Sequence, residues 1–286
     1  MGRMFSTDAL FAGDIPTKDG FRSVERMLTE ELATKEVVSA AVFGSYAAGT
    51  HTARSDVDAI VIAKAGAGWH LHSGLLTSLR QRALASHVPL QLIVLDEEQA
   101  ARPGNGVGPG LRAHLAAAGK RIVGAKDPWE FLTAPDEDPQ AEAQAYLGRK
   151  RNRLQQDLYA WNGRTWSDRI RSLERALDGP VHLARKIVHA QSDETHTAKA
   201  PLLDAFLQLA DAHARAEVTD LLAHVIQTDT SYDQRVFAKP WKPYRGAQLD
   251  KAFPVMSAYE IFLTQLWNRA APLAWRFYDE CDAFFP

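Results

Sequence analysis

The chain has 286 residues, 46% of them hydrophobic and 24% charged, which suits one large or two medium globular domains and excludes disordered, collagen-like and disulfide-dense classes. With 33 Lys+Arg against 35 Asp+Glu the formal charge is −2, which weighs against gripping long nucleic acid by wholesale phosphate neutralisation. The lone Cys281 excludes an internal disulfide and a cysteine-rich metal site, and no run approaches the roughly 18–20 apolar residues of a membrane span.

In chain order, Met1 to Gly20 has no long secretory-type apolar segment, since Asp8 and Asp14 interrupt it. The expected compartment is the cytoplasm, with no membrane partner. Phe21 to Ala33 carries apolar residues at Phe21, Val24, Met27, Leu28 and Leu32, the spacing of an amphipathic helix. Val37 to Phe43 is a strand-sized apolar run. After a polar Gly/Ser/Thr segment, Val57 to Ala63 reads as a second strand with both faces covered. A helix is expected from Leu71 to Ser86 and a third strand from Val88 to Leu95. Arg102 to Gly110 is a Gly/Pro-rich loop, followed by a helix from Leu111 to Ala118 and a short edge strand at Arg121 to Gly124.

Three prolines and an acidic cluster between Lys126 and Pro139 mark a boundary. The expected domains are 1–130 and 131–286. The second half reads as helix: Gln140 to Trp161, Trp166 to Ala176, Pro180 to Ala190, Pro201 to Leu209, Ala216 to Ile226, and Val255 to Phe284 with a break near Pro272. The expected fold class is therefore α/β (α+β), a small mixed sheet flanked by helices and joined to an all-α bundle.

The chemistry concentrates between Phe43 and Ala63. Gly44 follows a strand and permits close approach of a ligand, while Ser45 offers a hydroxyl and an N–H at the start of a short helix, a phosphate-binding geometry. Asp56 and Asp58, two residues apart at the head of a strand, project to one face, where paired hard oxygens suit Mg²⁺ together with a nucleoside triphosphate. Ser55 is placed to brace the turn before them.

The string G-S-x-x-x-G-T-x-x-x-x-S-D-x-D, filled by Gly44, Ser45, Gly49, Thr50, Ser55, Asp56 and Asp58, resembles the signature of the DNA polymerase β-type nucleotidyltransferase superfamily. The likeness extends more loosely over residues 21–126 and points to the small-molecule (antibiotic or aminoglycoside-like) or minimal branch. It implies attack of an acceptor oxygen on the α-phosphorus of a nucleoside triphosphate, ATP by expectation, with pyrophosphate leaving and two Mg²⁺ ions clamping the reacting oxygens. Asp56 and Asp58 are then the metal ligands, and Gly44 and Ser45 hold the β- and γ-phosphates, with Thr50 and Ser55 in the same loop.

One position departs from that pattern. The family places a third carboxylate on the neighbouring strand, as metal ligand or general base, and here the position holds Gln91. An amide is close in shape to Glu but takes no proton at neutral pH and is a poorer ligand for a hard dication. Three readings stay open: Gln91 replaces a natural carboxylate, a base comes from elsewhere (Asp96 or Glu97, or Glu174 or Asp178 in the helical half), or the protein binds nucleotide with little turnover. Asp96, Glu97 and Glu98 also suit a plain helix N-terminus.

In the helical half, Arg149 to Arg153 and a spread of arginines including Arg185 offer a nucleotide contact, against the plainer reading of a solvated, salt-bridged surface. Glu174 is a candidate contact for the acceptor. The loop Phe237 to Gly246 interleaves basic and aromatic residues, and Trp241 and Tyr244 are its candidates for stacking a substrate ring. The expected partners are a nucleoside triphosphate and a small-molecule acceptor, with tRNA or a protein as the alternative acceptor, bound by a monomer or a homodimer.

Overall fold

The computed structural model describes residues 17–52, 55–68, 71, 74–133, 138–164, 166–212, 215–236 and 249–285. It divides into two compact units, one comprising Pro16–Pro139 with Thr195–Ala198, the other Gln140–Glu194 with Lys199–Pro286.

The first unit opens with helix α1 (Lys18–Leu32), whose N-terminus is capped by the Thr17 hydroxyl accepting from the Gly20 N–H at 3.0 Å. Its buried stripe, Phe21, Val24, Met27, Leu28 and Leu32, is the one the spacing predicts. Then come β1 (Val37–Phe43), the single turn α2 (Gly44–Ala47), β2 (Val57–Ala63), α3 (Leu75–Ala85), β3 (Leu90–Asp96), the capped turn α4 (Glu97–Ala100), α5 (Pro109–Ala118) and β4 (Lys120–Val123). The strands form one mixed sheet in the order β3-β2-β1-β4, with β1 antiparallel to β2 and to β4 and β2 parallel to β3.

Alternation along β2 decides the site. Val57, Ala59, Val61 and Ala63 enter the core under α1 and α3, whereas Ile60 and Ile62 join Ala41, Phe43 and Leu115 in a second, smaller core on the other face. Asp58 shares the face of Ile60 and Ile62, at the end of the strand where that smaller core stops. The continuous apolar run of β2 is thus the signature of a strand covered on both sides.

The second unit is helical: α6 (Pro139–Ala160), α7 (Trp166–Ser192), α8 (Lys199–Ala212), α9 (Ala216–Val236) and α10 (Leu249–Cys281). Trp161 and Trp267 stack in its core with ring centroids 4.3 Å apart. Two expected breaks do not occur. The helices predicted at 166–176 and 180–190 are one 27-residue helix with Pro180 inside it, and α10 runs through Pro272. An interior proline costs roughly 3 kcal/mol. Along α7, Ile170, Leu173, Leu177, Val181, Leu183, Ile187 and Val188 are all buried, and at about 1.5–3 kcal/mol per buried aliphatic side chain their packing outweighs the lost hydrogen bond. Among the described residues no helix is long and apolar enough to cross a membrane.

Candidate active site

Three strands bring the predicted chemistry together. The parallel register places Gln91 beside Asp58, and the antiparallel register places Phe43 on the other side of Asp58, so Gly44 begins its turn next to that carboxylate. Gly44 has φ +75°, a left-handed conformation that costs a residue with a Cβ roughly 1–2 kcal/mol. Close approach imposes the same choice, since a Cβ on Gly44 would lie 2.5 Å from Asp58 Oδ2. Two constraints thus select glycine at one position.

Asp56 precedes β2, and its Oδ2 accepts a hydrogen bond from Gln91 Nε2 at 2.8 Å. The amide therefore bridges strand β3 to the first aspartate. Burial, reinforced by the neighbouring Asp56 charge, pushes the Asp58 carboxyl up to about 7. Two carboxylates whose charges conflict on a half-dry face are a fitting donor set for a hard dication, which would resolve the conflict. No group of three or more His, Cys, Asp or Glu suited to a metal occurs among the described residues, so any metal here rests on the two aspartates and on ligands that arrive with it.

The raised Asp58 value carries a pH prediction. Between the ordinary carboxyl range near 3.8 and about 7, the folded protein holds a proton that the unfolded chain has released, so stability falls as pH rises through that window. The metal-free protein in a chelator should lose melting temperature from pH 4 to pH 7 more steeply than Asp58→Asn, and Mg²⁺ should flatten the wild-type slope. Equal slopes for the two proteins would refute it.

The loop between β1 and β2 is internally braced. Thr50 N–H donates to the Ser45 carbonyl at 2.9 Å, and Gly49 takes φ +71°. The Ser55 hydroxyl accepts from the Thr52 N–H at 2.9 Å, the bracing role expected of it. Thr50 itself is exposed, and Ser45 is half-buried in the first turn of α2.

Sequence reasoning missed the anchor beneath this loop. The Tyr46 hydroxyl donates to Glu25 Oε2 and Lys120 Nζ donates to Glu25 Oε1, each at 2.5 Å, tying α2 to α1 and β4. Burial alone would raise the Glu25 carboxyl, but the bonds from Lys120 and Tyr46 outweigh it and hold it below its ordinary value. Phe21 stacks on Tyr46 at 5.6 Å, and His51 packs against both rings. Burial, then the Lys18 charge, lowers the His51 pKa, so it packs as a neutral ring. Tyr46→Phe removes one bond to a charged acceptor, worth about 1.5–3 kcal/mol. It should weaken Mg·ATP binding several-fold in a fluorescence titration, while the remaining phenyl ring keeps the contacts to Phe21 and His51; unchanged binding would show that the loop needs no such anchor.

The alternative bases at the end of β3 are elsewhere. Asp96 caps α4, accepting from the Gln99 N–H at 2.8 Å while Gln99 Oε1 accepts from the Asp96 N–H. Five residues separate Asp96 from Gln91, about 16 Å along a strand, so the acidic cluster is a helix cap remote from the aspartate pair. Arg185 and Glu174 lie on α7 in the helical unit. Glu174 is buried and accepts from the Tyr232 hydroxyl at 3.2 Å, whereas Arg185 is half-buried, its guanidinium pKa lowered by burial and partly restored by Asp178. Trp241 and Tyr244 lie outside the described residues.

No curated protein sequence matches the chain. A solved structure, titled as spectinomycin adenyltransferase AAD(9) from Enterococcus faecialis with ATP and spectinomycin, is similar at 13% identity and a TM-score of 0.46, over 92% of this chain and 98% of that one. Residues 25–91 match the model of the nucleotidyltransferase domain family, a stretch that runs from the Glu25 anchor to Gln91. That matched stretch contains Gly44, Ser45, Asp56 and Asp58.

Proposed function

We propose that this protein transfers a nucleoside monophosphate from a nucleoside triphosphate, ATP by preference, to a hydroxyl of a small-molecule acceptor, of which an aminoglycoside-type antibiotic is the model case, in the cytoplasm. The observation that carries the reading is the Asp56–Asp58 pair set against the Gly44 turn, with Gln91 in strand register beside it. In the reaction the acceptor oxygen bonds to the α-phosphorus, the bond from that phosphorus to the bridging oxygen breaks, and pyrophosphate departs. Mg²⁺ held by Asp56 and Asp58 would neutralise phosphate charge and polarise the reacting oxygens. Backbone groups of Gly44 and Ser45, with the Ser45 and Thr50 hydroxyls, hold the β- and γ-phosphates, and Ser55 keeps the loop closed. Trp241 and Tyr244 are the candidate acceptor contacts, while Glu174, buried against Tyr232, is set aside.

Gln91 has a defined task in this scheme. Its amide fixes Asp56 by hydrogen bonding rather than taking the acceptor proton, which passes to water. The same bond favours a second reading, a nucleotide-binding module with weak turnover. Incubating the protein with Mg²⁺ and each α-labelled triphosphate against separate panels of antibiotics, tRNA and proteins discriminates these. Label on a small molecule is the expected result; label on tRNA or protein would replace the acceptor class, and tight nucleotide binding without transfer would favour the second reading.

A further inference from the structure

The helical unit concentrates positive charge around one buried carboxylate, Asp157. On α6, Lys150, Arg153 and Asp157 fall at spacings of three and four, on one helix face. Asp157 is buried at 1% exposure and already fully engaged: Arg175 binds it through Nε and Nη2, each at 2.9 Å, Arg164 at 2.7 Å and Arg153 at 3.6 Å. Asp178 is shared, since its field acts on both Lys150 and Arg185. Three arginines therefore share the one Asp157 carboxylate.

Part of this charge opens onto a recess lined by Lys150, Arg153, Asp157, Arg175 and Tyr278. Among the described residues Lys150 Nζ makes no ion pair and rests on the Tyr146 ring at 4.9 Å. Burial, then the Arg175 charge, lowers the Lys150 pKa, and the Asp178 charge opposes them only in part. The Tyr278 hydroxyl forms no hydrogen bond with a described residue, although the ring is buried. It reaches this position because Gly179 has no side chain: any Cβ there would collide with the hydroxyl, and the Lys150 stem lies 3.8 Å from the same point.

From this geometry we infer that the recess is an anion site, taking one oxygen of a tetrahedral oxyanion between Lys150, Arg153, Arg175 and the Tyr278 hydroxyl. The chemistry favours a phosphoryl group over a carboxylate. Arg175 has committed its Nε and Nη2 to Asp157, so its own fork is closed to a carboxylate, and the donors line the recess from three helices. This inference concerns the helical unit alone and stands whether or not the nucleotidyl-transfer reading holds.

The test is a titration of the full-length protein with inorganic phosphate in a chelator, at ionic strength fixed with sodium chloride, followed by melting temperature and isothermal calorimetry. Phosphate should stabilise the protein where chloride does not. Lys150→Met should weaken phosphate binding by about tenfold and Tyr278→Phe by a few-fold, the effects of losing a charged and a neutral donor. The response should persist in Ser45→Ala, separating this site from the loop in the other unit. Phosphate no better than chloride would overturn the inference, as would wild-type affinity in both Lys150→Met and Arg153→Gln, or a response lost in Ser45→Ala.

Discussion

Replacing Gln91 by Glu should raise turnover in the presence of Mg²⁺ by about 10²–10⁴-fold, the usual worth of a positioned general base. The new carboxylate would occupy the register position beside Asp58 and against Asp56, where Gln91 Nε2 now donates at 2.8 Å. It would supply what the amide lacks, an oxygen able to accept the acceptor's proton and to bind a hard cation. The gain should depend on the metal. In a chelator the same change puts a third negative charge on a face where Asp58 is already pushed up to about 7, so Gln91→Glu should melt below wild type there and recover with Mg²⁺. The pH profile of the variant should acquire an ascending limb absent from the parent. Turnover unchanged in the variant, with Mg²⁺ present and nucleotide bound, would show that position 91 does not limit the reaction.

The second large effect lies at Gly44. Gly44→Ala sets a Cβ 2.5 Å from Asp58 Oδ2 on a backbone with φ +75°, so either the turn or the carboxylate must move. A displacement of about 1 Å in a catalytic constellation costs on the order of 10²-fold, and the Gly44 turn and the Asp58 carboxylate lose position together. Mg·ATP affinity and kcat/KM should each fall by at least that factor. The strain adds roughly 1–2 kcal/mol of lost stability, readable by chemical denaturation. Full nucleotide affinity in Gly44→Ala would mean that phosphates do not approach this turn.

Much of the site was legible because its determinants are local. A strand, a glycine, a hydroxyl, a turn and two aspartates at i and i+2 fit within twenty-one residues, and strand periodicity alone puts Asp58 on one face. Gln91 was legible one level further out, since the apolar pattern of β3 sets its register. The Tyr46–Glu25–Lys120 anchor was not. Its partners lie 21 and 95 residues apart, and nothing in the spacing of a lone Glu on a helix face announces a buried bond to a distant turn. The misjudged break at Pro180 has the opposite cause, since a strong local signal was overruled by the burial along α7. The acidic run after β3 invited a catalytic reading that strand length removes.

The sheet order has a bearing on how such a site changes over evolutionary time. β2, which carries Asp58, is paired on both sides, whereas β3, which carries Gln91, has a single neighbour and is half-exposed along most of its length. Substitutions on a central strand disturb two ladders and both cores; those on a border strand disturb one. Asp58 is therefore mechanically locked, while position 91 is free to drift between acid and amide at little cost to folding. On the proposed reading, the architecture would separate holding a nucleotide from setting the rate, so that catalytic power could be lost or regained at one peripheral residue while binding endures.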